Sequence, residues 1–267
     1  MREDAAVYLR RIGESGQEPL DIARAALMLS ALDHPAVSLD LFERHLDEIA
    51  GAMKEFAVSL VRVGDGAFAL STLLNTKLAY DGDRLSYDHP QNADLITVIE
   101  RRRGLPVALG ILYMHAARAA GMTASGLDTQ GHFLVRIGFR HDDLTIDPFN
   151  GGAVLEAGQS MLAVLADAHL AQPVGDIDVL LRLQNNLKMR AVDRGNTQRG
   201  LEIADRMVLI APRRADLWFD LGRLNEAAGV LGASRKAYER CLELAPKGEG
   251  LHNEAALSLT DLKRRLN

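Results

Sequence analysis

The sequence predicts an α+β domain with a helical N-terminal segment, followed by an all-helical tail, and three observations carry that reading. Apolar residues recur at helical spacing through much of the first 120 positions. Two short runs rich in β-branched and aromatic residues, HFLVRIGF and LTIDPF, then follow one another across a polar turn, as strands of a small antiparallel sheet do. Beyond Gly175 the pattern is helical again, and two segments, LEIADRMVLIAP and SRKAYERCLELAP, end in prolines 34 residues apart (Pro246 and Pro212, 246 − 212).

Within the first part, residues 20–33 set Leu20, Ile22, Ala26 and Leu29 on one helical face, and His34-Pro35 stops the run. Ser38 offers a cap to the next helix, LDLFERHLDEIAGAMKEF, in which Leu41, Phe42, His45, Leu46 and Ile49 are expected to share a face and Asp40 complements the dipole. A third apolar helix is expected over 65–80. The stretch AYDGDRLSYDHPQN reads as a loop, after which a helix starts at Ala93 with Asn92 as its cap and ends at Gly104. Arg101, Arg102 and Arg103 at that helix end are accounted for by the dipole and by solvation.

From Pro106 to Ala120 only His115 and Arg118 are ionisable, so this helix is expected to be central and almost wholly buried. His115 is expected to be a hydrogen-bonded core histidine and Arg118 the anchor of a buried acid. Asn150-Gly151-Gly152 forms a turn in which glycine accepts positive φ.

The run Gln172-Pro173-Val174-Gly175 marks the boundary between residues 1–174 and a helical tail, 175–267. The 34-residue spacing is the tetratricopeptide period, and Trp218, Leu221, Gly222, Tyr238 and Pro246 match its pattern. Trp218 and Tyr238 are accordingly read as packing residues. So short an array is expected to pack on the first domain or on a partner.

Composition narrows the function. A chain of 267 residues with 48% hydrophobic and 25% charged content has enough apolar mass for a packed core. Its 31 Lys+Arg against 36 Asp+Glu, a formal charge of −5, argues against nucleic-acid binding through broad electrostatic attraction. The charged N-terminus lacks the apolar core of a signal peptide. Apolar runs such as 105–113 fall far short of a membrane span, so a cytoplasmic protein is expected. The single cysteine, Cys241, excludes an internal disulfide and any multi-thiolate zinc site. No HExxH, CxxC, GxxxxGK[ST] or GxGxxG pattern occurs, and no metal or cofactor is expected.

Thiol acyl-transfer enzymes place a thiolate at a helix N-terminus, with a histidine as base and an acid orienting it. His132 opens the first strand and Asp147 lies in the second. If the hairpin turns between Phe139 and Arg140, the two are cross-strand partners with Cβ atoms about 4.5–5.5 Å apart. A longer loop centred near Asp142 separates them.

The run YDHPQNADLITVIERRRGLPVALGILYMHAARAAGM, then QGHFLVRI and IDPFNGG, resembles the SirB family of transglutaminase-like proteins, which is found in bacteria and carries tetratricopeptide helices after a papain-like core. The resemblance implies a G-x-C start to the central helix, which aligns Gly104 with the family's glycine and puts Pro106 at its cysteine. It assigns His132 and Asp147 to the other two triad positions. Proline suits a helix's first turn but has no nucleophilic side chain. Cys241 occupies a small-residue position of the repeat, where packing explains it.

These readings lead to a noncatalytic adaptor or regulatory protein that binds a protein or peptide through its repeats, without nucleic acid or membrane. Two alternatives stand beside it. One is a hydrolase or acyltransferase using His132 and Asp147 without a thiol, since general base catalysis alone supplies about 10²- to 10⁴-fold. The other is a small-molecule sensor whose cleft also draws on Tyr87, Asp88 and Asn92. The simplest account of His132 and Asp147 is a satisfied polar pair. Oligomeric state is left open.

Overall fold

The structure, a computed structural model, describes residues 2–129, 132–155 and 172–266. The chain divides into two compact units, one of residues up to Tyr8 with Gln17–Leu183, the other of Leu9–Gly16 with Gln184–Asn267.

The first unit follows the predicted α+β order. The unit takes in the start of α1 (Arg2–Ser15); helices α2 (Ile22–Ala31), α3 (Asp40–Ala57) and α4 (Val63–Leu70) then lead to α5 (Leu95–Arg101) and the central α6 (Pro106–Ala119). On α3 the inward stripe is Phe42, Leu46, Ile49 and Met53, at helical steps of four, three and four. Leu41 is 67% exposed, because one residue back along a helix turns a side chain about 100° away from that stripe. The expected 65–80 helix starts earlier, at Val63, and its last part, Ser71–Lys77, winds more loosely as a π-helix that closes with Leu78 N–H donating to the Leu73 carbonyl. The cap of α5 is Asp94 and not Asn92: its Oδ1 accepts from Thr97 N at 3.0 Å, and Pro90–Ala93 forms a short 3-10 turn before it. Arg102 then takes a left-handed conformation, φ 56°, and ends the helix two residues before the Gly104 stop that the sequence suggested.

Helix α6 begins on Pro106, and of its residues only His115, Arg118 and Ala119 are not fully buried. It packs on an antiparallel sheet of order β6-β5-β4-β3-β7, built from β3 (Thr123–Thr129), β4 (His132–Phe139), β5 (Asp142–Asp147), β6 (Ala153–Val154) and β7 (Pro173–Val174). A close approach makes that packing possible. A Cβ on Gly110 of α6 would lie 2.5 Å from the Phe133 ring, and one on Gly126 of β3 would lie 2.7 Å from the same ring. Phe133 is 2% exposed between them. A two-residue parallel bridge, β1 (Asp81–Gly82) with β2 (Arg103–Gly104), ties the loop after α4 to the approach to α6.

Helix α7 (Asp176–Asp193) contributes its residues through Leu183 to the first unit. Arg118 is there the anchor its position suggested: its guanidinium donates to both carboxylate oxygens of Asp176, at 2.8 and 2.7 Å, and to the Ala124 carbonyl. Asp176 is 3% exposed and also accepts from Leu20 N.

The second unit holds the rest of α7 and α8 (Thr197–Ile210), α9 (Ala215–Ala227), α10 (Leu231–Leu244) and α11 (Gly250–Leu266). Its packing explains the repeat pattern. Gly222 of α9 admits the Tyr238 ring of α10, which a Cβ would meet at 2.5 Å, and Trp218 Nε1 donates to the Pro212 carbonyl at 2.9 Å. Cys241 is wholly buried with Ala245 and Ala255, beside Trp218. No described helix is long and apolar enough to cross a membrane.

Candidate functional site

The local geometry at Pro106 follows from its own chemistry. Leu105 is extended (φ −71°, ψ 158°), as residues before proline are, and its N–H donates to the Asn92 carbonyl. Pro106 then supplies a preset φ at the first helical position, where the N–H it lacks has no intrahelical partner in any case. The N-terminal end of α6 thus carries a buried proline ring with no ionisable group.

The hairpin turns at Arg140 and His141. Phe139 pairs with Asp142 and Val135 with Ile146, and Arg140 adopts φ 58° in the two-residue loop. Extending this register by one pair sets Asp147 beside Leu134, so His132 and Asp147 share a face as diagonal neighbours, Cβ atoms about 7–8 Å apart, and are not direct partners. Moving the turn by one residue from the Phe139–Arg140 centre produces that offset. Among the described residues no hydrogen bond joins the two side chains.

Their surroundings differ. His132 is exposed, while Asp147 is 4% exposed and fully engaged in its own turn. Asp147 Oδ1 accepts from Phe149 N at 2.9 Å and from Asn150 N at 3.3 Å, and Oδ2 accepts from Asn150 Nδ2 at 2.6 Å. The carboxylate thus caps the Pro148–Asn150 3-10 turn. Gly151 and Gly152 follow at φ 67° and 78°.

The loop residues Tyr87, Asp88 and Asn92 also separate in role. Asn92 is fully buried and staples the loop: Nδ2 donates to the Ser86 carbonyl at 2.6 Å, and Oδ1 accepts from Arg101 Nη1 at 2.8 Å. Arg101 Nη2 reaches Asp83 Oδ2 at 2.7 Å, and Ser86 donates to the same carboxylate. Burial alone would push the Asp83 carboxyl up; the Ser86 and Arg101 bonds outweigh it and hold the group well below the usual carboxylate range. Tyr87 stands edge-on to Phe149, ring centroids 5.8 Å apart, and Asp88 is exposed.

Sequence reasoning missed Asp83, Arg84 and Arg182. Arg84 lies 4.9 Å over the Phe149 ring and donates to the Phe149 carbonyl and to Asn150 Oδ1, so it clamps the Asp147 turn onto the Asp81–Asn92 loop. Arg182 of α7 donates to the His132 carbonyl at 3.3 Å and lies 5.7 Å over the Phe133 ring; burial pushes its pKa down. The signal for the first two was present in the DGDR run, whose alternating charges bond outward to Arg101 and Asn150. Tyr113 lies two turns along α6 from Pro106. Its hydroxyl is buried without a hydrogen-bond partner among the described residues, and burial, reinforced by Asp81 and Asp147, pushes its pKa well up.

Chemically, this is a braced loop beside an exposed imidazole, with no nucleophile at the helix start. The sequence profile of the transglutaminase-like superfamily matches residues 41–185, more than half of the chain. The chain belongs to the transglutaminase-like superfamily. Beyond the superfamily domain, a tetratricopeptide-repeat profile matches residues 187–261. The UPF0162 protein of Xylella fastidiosa strain 9a5c is 26% identical over 244 residues, which span 86% of this chain and 85% of that one. A UPF0162 protein of Pseudomonas aeruginosa is 26% identical over 204 residues, 73% of this chain and 74% of its own. Human F-box only protein 21 is 29% identical over 82 residues, 31% of this chain and 13% of that protein. Among solved structures, that of menin superposes over 98% of this chain and 74% of its own with a TM-score of 0.42 and 10% identity, a likeness that carries no functional weight.

Proposed function

We propose that this transglutaminase-like protein is a noncatalytic adaptor or regulator, a member of the SirB-type group acting in the cytoplasm, which engages a protein or peptide through its tetratricopeptide helices. The observation that carries the reading is the start of α6, where Pro106 holds the first helical position; on the pattern of the resembled family this is where thiol acyl transfer needs its nucleophile. Two further facts support it. The Asp147 carboxylate is spent on capping its own turn and does not orient His132, and Cys241 is buried in the packing of the repeat, where burial pushes its thiol pKa up. A triad lacking its nucleophile, with acid and base apart, gives no route to an acyl-enzyme.

The partner surface is a groove of about 410 Å³ in the second unit, bordered by Phe219, Arg223, Tyr238, Glu254 and Leu257. Leu257 is 72% exposed there. An aromatic and aliphatic floor with mixed charge at its rim suits a peptide segment that anchors one or two apolar side chains.

The test pairs two measurements on the full chain. Affinity capture followed by mass spectrometry compares wild type with Leu257→Glu; specific partners retained by wild type and lost by the variant support the adaptor. A hydrolase and acyl-transfer screen compares wild type with His132→Ala. Turnover that is lost on His132→Ala with the fold intact overturns the noncatalytic reading in favour of a water-activating enzyme.

A further inference from the structure

Away from the triad remnant, the first unit holds a second ionisable cluster with no assigned role, in which His45 of α3 meets Tyr80 and Arg102. His45 Nε2 lies 2.8 Å from the Tyr80 hydroxyl and also receives Arg102 Nη1, which in turn donates to the Tyr80 oxygen. Arg102 stacks over the Tyr80 ring at 4.7 Å. On the other side of the imidazole, Nδ1 faces Glu48 Oε2 at 3.6 Å.

A guanidinium carries donors only and keeps its proton at any pH a protein survives. Nε2 must therefore present a lone pair, which leaves the ring neutral with its proton on Nδ1, toward Glu48. Among the described residues, the other elements packed on α3 bring no further charge to this ring: His115 of α6 faces the Leu46 carbonyl, Arg24 of α2 pairs with Glu43, Arg62 beside α4 pairs with Asp65, and Lys77 lies over Phe56.

Arg102 is also a backbone joint. It holds φ 56°, a conformation that costs a non-glycine residue of order 1 kcal/mol or more, and Ala79 across from it holds φ 60°. The Arg102 carbonyl accepts from Asp81 N at 3.1 Å, which with Asp83 N donating to the Gly104 carbonyl at 3.2 Å bridges β1 to β2, and Arg103 Nη1 holds the Ala79 carbonyl at 2.8 Å. Four residues after Arg102 the chain enters α6 at Pro106.

We infer that His45, Tyr80 and Arg102 form a proton-sensitive latch: neutral His45 holds Arg102 in its left-handed joint, and protonation of Nε2 sets a new N–H against the guanidinium and releases the β1–β2 bridge ahead of α6. Burial and the Arg102 charge both favour the neutral ring, so the latch stays closed near neutral pH and opens below the ordinary histidine range. Because one proton is taken up on opening, the opening equilibrium rises about tenfold per pH unit once protonation drives it.

Nuclear magnetic resonance on the full chain tests this. Long-range ¹H–¹⁵N spectra are expected to show His45 as the Nδ1–H tautomer at pH 7.5. Exchange of the Asp81 amide, corrected for the intrinsic pH dependence, is expected to accelerate toward about tenfold per pH unit below pH 6. His45→Gln, whose side-chain oxygen accepts from Arg102 at every pH, is expected to flatten that slope. An Nε2–H tautomer at pH 7.5, or a corrected Asp81 exchange rate that does not change with pH in the wild-type chain, overturns the latch without any need for the variant to fold.

Discussion

Asp147→Ala and His132→Ala together decide whether these residues act as a pair. The alanine at 147 removes three accepted hydrogen bonds, two from backbone amides and one from Asn150 Nδ2, at a position 4% exposed. At about 0.5–1.5 kcal/mol net per bond, with the donors left short of partners, the loss is about 2–4 kcal/mol. For a unit of this size each kcal/mol moves the melting temperature by about 2–4 °C, so a fall of about 4–16 °C is expected. His132 is exposed and bonds through its carbonyl, which alanine keeps, so His132→Ala is expected to change stability by less than about 0.5 kcal/mol. Denaturant titrations of wild type, both single variants and the double variant close a cycle whose coupling is expected near zero. A coupling above about 1 kcal/mol means that His132 and Asp147 hold one another, and the argument that Asp147 serves only its own turn fails.

Other consequences can be checked as directly. Arg118→Met leaves the Asp176 carboxylate buried with, among the described residues, only the Leu20 amide, and a loss of about 3–5 kcal/mol is expected in urea titration, most of it recovered when Asp176 is also made apolar. Burial first, and then the hydrogen bond to Glu226, raise the Tyr238 phenol from 10.0 to about 12. A group whose folded pKa is raised contributes stability that is intact below its unfolded value and lost above it, so the second unit is expected to weaken between pH 10 and 12, less steeply in Tyr238→Phe. Native-state alkylation of Cys241 is expected to be slow and to become rapid only in denaturant, because the sulfur is wholly buried and its thiolate is disfavoured there.

Much of the fold was legible because its cues are local. Pro106 and the apolar run behind it define α6; His34-Pro35 closes α2; the alternation in HFLVRIGF gives β4; and the glycine, tyrosine and tryptophan of the repeat sit where their packing partners require. The misreadings share a cause: competition between nearby polar groups that sequence cannot rank. Asn92 and Asp94 are both competent caps, and Asp94 takes α5 because Asn92 is drawn into the Ser86–Arg101 network. Arg101 and Arg102 read as solvated helix-end charges, yet Asp83, His45 and Tyr80, distant in sequence, take them up. At the candidate site the residue types were readable and their mutual geometry was not, since one residue of turn position decides whether His132 opposes Asp147 or stands diagonal to it.

The ring of Phe133, held between Gly110 and Gly126, links three positions far apart in the chain. Any larger residue at either glycine displaces the ring, and a smaller residue at 133 opens a void that the two glycines cannot fill. Change at these sites therefore has to travel in concert: a methyl gained at 110 or 126 is tolerated only with volume surrendered at 133. Related chains that carry alanine or serine at one of the glycine positions are expected to replace the phenylalanine with a slimmer side chain, which makes this trio a sensitive place to watch the domain's sequence drift.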